Sequence, residues 1–512
     1  TAEGNATTYK TERLAGEKTQ RTVTRPDGKE LKTTTEPSGT RTMLWPDNTT
    51  LVVERKADPS FGLGVTVPKA TLTLPSTKSA SVELARSIVG PAFSPTQITE
   101  TTTFKAADNS SLTRSLVVEP TASPPTALCT SAGNRKVKLT FDDKGRVVEA
   151  ELDPPSTDLA KVGVQYDNQG RIDKVTQGTR ELKLDYASAS GFLTKVTQSN
   201  TASPDTRVIE YKQHDGVGRP RTVTLPGAHD LGLLYDANGN MTSVTPPGKP
   251  AHNLEYTDVD LLWKHTSPGA TLPSQWDYDK DRRPSTFTRS DGNTLSAVWD
   301  PNHSDRLLRV ETTSGNYSPE YDATTGALKK WTAPGGVVTE AGLDGPRLSG
   351  MSTTWPGPVV GSVSWTADKF LRADSETVTG GWPVTVTEFD PDGKLKTATV
   401  AGKTCTVGLL SSTGWTKSLT VGNVLIDRVR HPSYGEVSSI TAKYNGTPLY
   451  TASYPNVDGL GRIKTKTETG TPSVSYEYDA EGRLWKVGTT EYLYDANGNR
   501  TNANTSYDAR DR

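Results

Sequence analysis

The sequence predicts an all-β protein in which short hairpins pair edge to edge into one long antiparallel sheet. Three observations support this prediction. A short motif recurs along the 512 residues, the segments between its copies alternate apolar and polar residues, and the composition favours half-buried strands. Apolar residues make up only 32% of the chain, and Thr, Ser, Gly and Pro fill the difference. Disorder is the competing interpretation, but 10 Trp and 18 Tyr are present and many recur in phase, so we expect order.

The recurring motif is an aromatic residue, Asp, two loose positions, Gly, then often Arg or Asn and an apolar residue. Four copies begin with Tyr and two variants begin with Phe. Aromatic anchors recur at roughly 20 to 25 residues from position 141 onward, a period typical of repeat architectures. The predicted structural residues of the motif are Phe141, Asp142, Gly145, Tyr166, Asp167, Gly170, Tyr235, Asp236, Gly239, Phe389, Asp390, Gly393, Tyr478, Asp479, Gly482, Tyr494, Asp495 and Gly498.

Each copy of the motif has a simple physical interpretation as the corner of a hairpin. The aromatic residue ends one strand and packs on one face of the sheet. The Asp carboxylate accepts backbone N–H groups inside the turn, and Gly adopts backbone angles that a side chain would resist. The alternation in 171–177 and 181–186 supplies the flanking strands. One hairpin is too small to be stable alone, so successive hairpins must pair with one another.

The beginning of the chain shows the same alternation of apolar and polar residues, but its aromatic motif residues are less regular. We therefore predict degenerate β repeats over residues 1–130 and regular repeats over 131–512, continuous with the first part and cut in mid-repeat. Residues 81–89 are the one candidate helix, although they also fit a strand. We interpret the Pro-rich segment 120–127 and the Gly/Pro-dense segment 333–361 as excursions from one sheet. Because the chain begins without an initiator Met or a signal segment and stops in the middle of a repeat, we expect a longer parent polypeptide.

Charge and cysteine usage exclude several classes of partner. The net charge is −1, with 58 basic and 59 acidic residues mixed along the chain, so we expect no nucleic-acid partner. No apolar run approaches the roughly 18 residues that a membrane span needs. Cys129 and Cys405 cannot form a disulfide framework or a four-cysteine zinc site, and two unpaired side chains are favoured over a pair.

The motif copies resemble the YD-repeat (RHS-repeat) family, most clearly at 235–240, 494–499 and 458–463. The resemblance is specific from about residue 141 to 512 and looser before that. It implies that the strands spiral into a hollow β-shell, of which this chain forms at least a part. In bacterial toxin complexes and RHS toxins such a shell encloses a C-terminal toxic domain, and in animal teneurins a similar shell serves adhesion at the cell surface.

One feature of the bacterial proteins is missing from this sequence. Their shells usually end in a Pro-x-x-x-x-Asp-Pro-x-Gly-Leu motif at which the chain cleaves itself. The segment 390–393 comes nearest, but Lys394 stands where Leu is expected and Thr385 where Pro is expected. We interpret the segment as an ordinary repeat turn, assign no self-cleaving aspartates, and identify no toxin domain within these residues.

No motif in the sequence supports catalysis or cofactor binding. The Asp-x-Asn-Gly-Asn segments at 236–240 and 495–499 have Gly fourth, not sixth as in a calcium loop, which favours a turn. The six His are scattered, and neither a Gly-x-Ser-x-Gly elbow nor a phosphate-binding loop is present. A polysaccharide hydrolase would use paired carboxylates, but many Asp here belong to turns. We predict no enzyme, no catalytic residue, no metal site and no cofactor.

Two functional hypotheses follow from the residues and the resemblance. In the first, the chain is a structural β-shell segment of a larger secreted or surface RHS-repeat protein of bacterial origin, and its partner is a toxic cargo domain of the same polypeptide. In the second, it is a teneurin-like adhesion module whose Trp and Tyr side chains contact a glycan or a cell-surface protein. An enzyme, the third alternative, would need carboxylates brought together by folding.

Overall fold

The computed structural model describes residues 4, 6–58, 65–91, 93–152, 159–301, 306–357, 360–502 and 507. Within these residues the chain forms 43 β-strands and two short 3-10 turns, Ala15–Glu17 and Pro334–Gly336. Every strand pairing with a defined register is antiparallel, so the predicted all-β class is confirmed. In the described part of the chain, no helix has the length and apolarity to cross a lipid bilayer.

The first ten strands form a continuous antiparallel series. Each of them pairs with the next one along the chain. They are β1 Thr8–Arg13, β2 Thr19–Thr24, β3 Glu30–Thr35, β4 Arg41–Leu44, β5 Thr50–Ala57, β6 Val65–Thr73, β7 Ser79–Val89, β8 Gln97–Ala106, β9 Ser111–Glu119 and β10 Thr126–Thr130.

The middle of the chain continues with shorter strands. Registers are defined for consecutive pairs from β12 to β23 and again from β25 onward. The strands are β11 Lys136–Phe141, β12 Val147–Leu152, β13 Val162–Tyr166, β14 Ile172–Gln177, β15 Arg180–Tyr186, β16 Leu193–Asn200, β17 Ser203–Lys212, β18 Thr222–Leu225, β19 His229–Tyr235, β20 Met241–Thr245, β21 His252–Tyr256, β22 Leu262–Thr266, β23 Ser274–Tyr278, β24 Pro284–Thr288 and β25 Thr294–Trp299.

The last part of the chain repeats the same plan. Consecutive strands pair from β25 to β35 and from β36 to β43. They are β26 Leu307–Thr312, β27 Gly315–Tyr321, β28 Leu328–Thr332, β29 Val338–Asp344, β30 Arg347–Thr354, β31 Val360–Ala367, β32 Ala373–Val378, β33 Val384–Phe389, β34 Leu395–Val400, β35 Lys403–Leu409, β36 Thr416–Val421, β37 Val424–Arg430, β38 Val437–Tyr444, β39 Thr447–Val457, β40 Ile463–Glu468, β41 Thr471–Tyr478, β42 Leu484–Val487 and β43 Thr490–Glu491.

The strand register shifts where a repeat aromatic ends its strand. The shift falls between Gln165 and Tyr166, between Leu234 and Tyr235, and between Glu477 and Tyr478. A β-bulge of this kind bends the strand and re-aims the side chain that follows. The repeat therefore carries its own bend, placed just before each turn.

The chain divides into two compact units that interleave along the sequence. Unit 1 contains residues 1–138, 278–286 and 294–414, and unit 2 contains residues 139–277, 287–293 and 415–512. Each unit thus holds an early and a late stretch of chain, which we call its first run and its second run. The predicted division into residues 1–130 and 131–512 concerns the regularity of the repeat and stays a prediction.

The three segments with uncertain sequence interpretations have simple structures. The candidate helix at residues 81–89 lies in β7, where Val82 pairs with Phe104 on one face and Ser81 pairs with Lys105 on the other. Period-two alternation therefore prevails over helix propensity. Segment 120–127 is the turn between β9 and β10 with the start of β10. The described residues of segment 333–361, which are 333–357 and 360–361, are mostly strand, because β29 and β30 pair there with their neighbours.

The apolar core is thin in both units. Among the described residues, no large side chain is fully buried, and the buried apolar residues are mostly alanines. A sheet of this kind gains its stability from continuous strand pairing and from contacts at its corners. The buried apolar residues are Leu74, Ala106, Ala127, Leu233, Ala367, Ala398 and Ala452.

Candidate functional site: the repeat corner and the seam

The repeat corner is a tight turn closed by its own aspartate. At the copy that begins with Tyr166, the backbone N–H of Asp167 donates to the carbonyl of Arg171 at 2.9 Å. The carboxylate Oδ1 of Asp167 accepts the N–H groups of Gln169 and Arg171, both at 2.9 Å. Gly170 has φ of 83°, a conformation that side chains disfavour. The constant Asp and Gly of the motif are therefore the residues that the turn requires.

The other predicted aspartates occupy the same position in their own turns. Asp142 and Asp479 each accept two backbone N–H groups and pair with the Arg that follows the Gly. Asp390 accepts the N–H of Lys394. Where Asn replaces Arg, at Asp236 and Asp495, the Asn amide donates to the same carboxylate at 3.0 Å.

The arginine of the motif has a role that the sequence analysis missed. The Arg171 Nε donates to Asp167 Oδ2 at 2.7 Å, which holds the guanidinium 4.1 Å from the ring centroid of Tyr186. The Tyr186 hydroxyl donates to the carbonyl of Ile172 at 3.0 Å. A charge over an aromatic face contributes about 0.5–2 kcal/mol, depending on desolvation. The Arg of each corner thus holds the aromatic residue that follows it. Adjacent hairpins are therefore joined by side-chain contacts as well as by backbone hydrogen bonds.

This Asp–Arg–aromatic contact recurs in both units. In each case the aromatic belongs to the next copy of the motif or to an intervening anchor. Frequent Arg after the motif Gly was the available signal, since the planar guanidinium can pair with a carboxylate and stack on a ring at the same time. The arginine–aromatic pairs and their distances are Arg146–Tyr166 4.3 Å, Arg219–Tyr235 4.7 Å, Arg283–Trp299 5.0 Å, Arg372–Phe389 4.3 Å, Arg462–Tyr478 4.7 Å and Arg483–Tyr494 4.6 Å.

Hydrogen bonds and nearby positive charge lower the pKa of the corner carboxyls of Asp142 and Asp215. At Asp142, the N–H of Arg146 lowers the carboxyl pKa despite partial desolvation, and the Arg146 side chain adds to the effect. At Asp215, desolvation raises the pKa, but the N–H and guanidinium of Arg219 outweigh it and bring the value from 3.8 to about 2. A carboxylate with so low a pKa is suited to holding a turn rather than to moving protons at neutral pH.

A second set of contacts joins the two runs of unit 2, and we call these contacts its seam. Arg180 donates to the Glu436 carboxylate at 2.6 Å and lies 3.7 Å from the ring centroid of Tyr434. The N–H of Gly459 donates to Asp205 Oδ2 at 2.8 Å. The sequence separation is 256 residues for Arg180–Glu436 and 254 for Asp205–Gly459, so the seam joins turns that lie far apart along the chain.

The unit 2 seam continues with two more charged contacts. His229 Nε2 lies 2.8 Å from the Glu481 carboxylate, and Lys249 Nζ lies 3.5 Å from that of Asp495. Glu481 is a loose position of its motif copy, since it lies between the motif Asp and Gly. Both a loose position and a constant motif Asp therefore supply contacts between the runs.

Unit 1 has a seam of the same kind between its own two runs. Arg306 pairs with Asp27 at 2.6 Å, and Ser76 Oγ donates to Asp344 at 2.7 Å. Arg135 pairs with Asp390 at 2.7 Å and also contacts Asp392. The Asp27 side chain is only 3% exposed, which strengthens its attraction to the guanidinium.

The Asp-Pro-Asp-Gly segment at 390–393, which was predicted from the sequence to be a turn, makes structural contacts in unit 1. The Asp392 carboxylate accepts the Ser131 hydroxyl at 2.8 Å and the Gly133 N–H at 2.7 Å. The Asp390 N–H donates to the carbonyl of Lys394 at 2.8 Å, as in the other corners. Both aspartates are committed to structural contacts.

The structure gives no metal-binding geometry to the segments that superficially match calcium loops. At residues 236–240 the Asp236 carboxylate faces the N–H groups of Gly239 and Asn240 and the Asn240 amide. N–H donors occupy the lone pairs that a cation would need. Across the described ranges, no three His, Cys, Asp or Glu side chains are grouped to hold a metal ion. Cys129 and Cys405 are both free thiols.

The fold and its corners define a class of protein, the repeat-built β-shells. The family model described as Teneurin YD-shell matches residues 126–512, which is most of the chain. The chain therefore belongs to the Teneurin YD-shell family. A curated relative, Teneurin-3 of Mus musculus, is 23% identical over 396 residues, which are 73% of this chain and 14% of that protein.

Solved structures with the same fold come from toxin complexes. The crystal structure of TcdB2-TccC3-TEV matches with a TM-score of 0.65 at 12% identity, covering 97% of this chain and 35% of that chain. The Photorhabdus luminescens Tc holotoxin pore with the TccC3 mutation D651A matches with a TM-score of 0.61 at 12% identity, covering 94% and 33%. The chain spans about a third of each of these proteins, and at such identity the likeness concerns the fold.

Proposed function

We propose that this chain is a wall segment of a larger secreted or surface protein of bacterial origin, and that the wall encloses a cargo domain of the same polypeptide. The cargo would be a toxic domain, kept apart from the cell that makes it until delivery. The role is mechanical, and the proposal assigns no reaction, cofactor or metal to the chain.

The observation that carries the proposal is bonding in two directions. Along the sheet, consecutive strands pair and the corner arginines join neighbouring hairpins, as Arg483 does with Tyr494. Across the sheet, the seams join runs that are about 250 residues apart in sequence, as at His229 and Glu481. A wall needs both kinds of bond, because strand pairing alone leaves turns free to separate. Family membership and the fold of the toxin-complex structures agree with this role.

The proposal is tested by limited trypsin digestion of the full-length parent polypeptide, with peptides identified by mass spectrometry. We expect cargo peptides to appear only slowly from the native protein. The variant Arg180→Glu places a second negative charge beside Glu436 and weakens the unit 2 seam, so cargo peptides should be released several-fold faster.

The matched control is Lys212→Glu, which reverses one charge and removes one trypsin site. Lys212 is 48% exposed and pairs with Glu210 within β17, at the end of the strand that precedes the corner 215–219 and not at the seam. We expect it to leave the digestion rate of the cargo unchanged. Release of cargo peptides from the native protein as fast as from denatured protein would rule out enclosure.

A second candidate function is adhesion, with a glycan or a cell-surface protein as the ligand. Two tryptophans of unit 1 favour it, since Trp382 is 74% exposed and Trp355 is 44% exposed. Exposed indole rings can stack on sugars or fill a pocket of a partner protein. Membership in a family named after teneurin agrees with this alternative.

A glycan array probed with the chain separates the two functions, because a container needs no external ligand. If adhesion is correct, Trp382→Ala should abolish the signal, whereas Tyr9→Ala should not. Tyr9 is a suitable control because it is an aromatic residue of unit 1 with 62% exposure. An array without signal for the native chain would remove the glycan form of this alternative.

A further inference from the structure

Unit 1 contains a cavity beside its seam, which we call the unit 1 cavity. Its volume is about 700 Å³, within the range of about 300–1,000 Å³ that is typical of small-molecule sites. Strands β5 to β9 of the first run form one wall, and the corners at 368–372 and 390–394 of the second run form the other. Both walls come from interior stretches of the sequence, so adjoining repeats of a longer polypeptide are not needed to complete them.

The wall formed by the first run presents an apolar face to the cavity. Residues that are partners across neighbouring strands lie on the same face of a sheet. The apolar partners that line the cavity are Leu72 with Ala80, Val82 with Phe104, and Phe104 with Leu112. Val82 is 38% exposed and Phe104 is 37% exposed, so the apolar face is left partly open to a ligand.

All five strands of this wall are interior strands of the sheet. Each of β5 to β9 pairs with a neighbouring strand on both of its sides. An extended peptide binds to a sheet mainly by adding a strand at an open edge. The unit 1 cavity lies on a face of the sheet, where a ligand meets side chains rather than a backbone edge. This favours a small molecule over a segment of polypeptide.

The second wall departs from the repeat motif where it meets the cavity. In the corner at 368–372, the Asp368 carboxylate accepts two backbone N–H groups, as in the other corners. Leu371 stands in the position of the motif Gly with φ of 64°, a conformation that a bulky side chain disfavours. Asp260 and Arg282 also stand there in their corners, but they are polar, whereas Leu371 lines the cavity. Strained residues cluster at ligand-binding positions, so this leucine favours a binding site.

The charges around the cavity leave one cation without a carboxylate. The charged residues of the lining are three cations and one carboxylate: Lys105, Arg114, Arg372 and Asp392. Lys105 pairs with Glu83, Arg372 with Asp368, and Asp392 with Arg135. Among the described residues, Arg114 lies 5.7 Å from the ring centroid of Phe104 and forms no ion pair. An apolar surface with one such cation is complementary to an amphiphilic anion.

We propose that the unit 1 cavity binds a free fatty carboxylate, with the alkyl chain on the apolar face of β6 to β9 and the carboxylate on Arg114. Leu371 supplies apolar contact from the second run, so the ligand touches both runs of unit 1. A ligand that binds only the folded chain stabilises it, and unit 1 should therefore melt at a higher temperature when the cavity is filled. This inference does not require an enclosed cargo.

The experiment measures the binding of decanoate to the chain by titration calorimetry, with decanol and decylammonium as neutral and cationic probes of the same alkyl length. We expect decanoate to bind most tightly and to raise the melting temperature. Arg114→Ala should weaken decanoate binding about tenfold and leave decanol binding unchanged. Arg21→Ala is the matched control, since Arg21 lies 5.2 Å from the Tyr9 ring centroid in the same kind of diagonal cross-strand contact. It should bind decanoate like the native chain.

A second variant, Leu371→Gly, separates binding from folding. It restores the motif glycine and relieves the backbone strain, so the melting temperature of the free chain should not fall. Its affinity for decanoate should fall several-fold, because apolar contact is lost. Leu371→Asn, which also tolerates this conformation, replaces it if the glycine variant does not fold.

Three results would overturn the proposal. The first is a native chain that does not bind decanoate, or that binds decylammonium equally well. The second is unchanged decanoate binding by Arg114→Ala. The third is binding by this chain that is absent from the full-length parent polypeptide, because another part of that polypeptide then fills the cavity.

Discussion

Two corners of unit 2 have almost the same local structure and very different surroundings. In the first-run corner, Asp167 pairs with Arg171 at 2.7 Å, and in the second-run corner Asp479 pairs with Arg483 at 2.7 Å. Both guanidinium groups cover the next aromatic ring, at 4.1 and 4.6 Å. The fourth motif position differs, because Gln169 is exposed to solvent whereas Glu481 contacts His229 across the seam.

The comparison separates two functions within a single motif. The constant residues of the motif build the turn and join neighbouring hairpins, both in seam corners and in corners outside the seam. Positions that face the other run, whether loose as at Glu481 or constant as at Asp495, join the corner to that run. The same substitution should therefore cost more in a seam corner than in a corner outside the seam.

The largest expected effect distinguishes two motif glycines. Gly461 has φ of 91° and its added Cβ would lie 2.5 Å from Glu436, whereas Gly145 has φ of 75° and open space around it. Ala at either position incurs the left-handed backbone penalty of about 1–2 kcal/mol. Gly461→Ala also displaces the Arg180–Glu436 pair, so we expect a loss of about 3 kcal/mol in unfolding free energy, measured by urea denaturation. Equal losses for the two variants would contradict the comparison.

The next effect concerns the corner arginine. Arg171→Ala removes the pair with Asp167, the cover over Tyr186 and a 2.8 Å hydrogen bond to the carbonyl of Gly191. We expect a loss of about 2 kcal/mol. Arg171→Lys keeps the charge but not the planar fork, so it should recover less than half of this loss. Full recovery with Lys would show that the charge alone matters. The measurement is the urea concentration at the midpoint of unfolding, compared between variants with the same m-value.

A somewhat smaller effect tests the seam pair directly. Arg180→Ala removes the ion pair with Glu436 and the contact with the Tyr434 ring. Because Glu436 is 36% exposed, we expect only about 1.5 kcal/mol. The matched control is Lys212→Ala, whose exposed ion pair with Glu210 should contribute little to stability. Thermal melting of both variants checks the difference. Equal melting temperatures would show that this seam pair contributes nothing to stability.

The smallest effect is a pH dependence at a corner outside the seam. The folded pKa of Asp215 is about 2, below its ordinary value of 3.8. A depressed folded pKa contributes stability that is present above the ordinary value and is lost as pH falls toward the folded value. The melting-temperature difference between the native chain and Asp215→Asn should therefore shrink from pH 5 to pH 2. A difference independent of pH would show that the charge of Asp215 is not what stabilises its turn.

Much of the fold followed from local sequence. Alternation at residues 181–186 predicted strand, and Asp167 with Gly170 predicted the turn, because both patterns depend on neighbours along the chain. The strand nature of residues 81–89 stayed open, since Val82-Glu83-Leu84-Ala85-Arg86 fits either period in isolation. The seam could not be predicted, because nothing local relates Arg180 to Glu436, which is 256 residues away.

The sequence by itself determined the hairpin: an aromatic residue, an aspartate and a glycine specify a turn through contacts within five residues, and any stretch of chain with them closes in the same way. The tertiary structure decided which corners touch another run and which stay open, because that depends on how bends accumulate over many strands. Glu481 and Gln169 occupy the same motif position, and only the folded chain gives one of them a histidine partner.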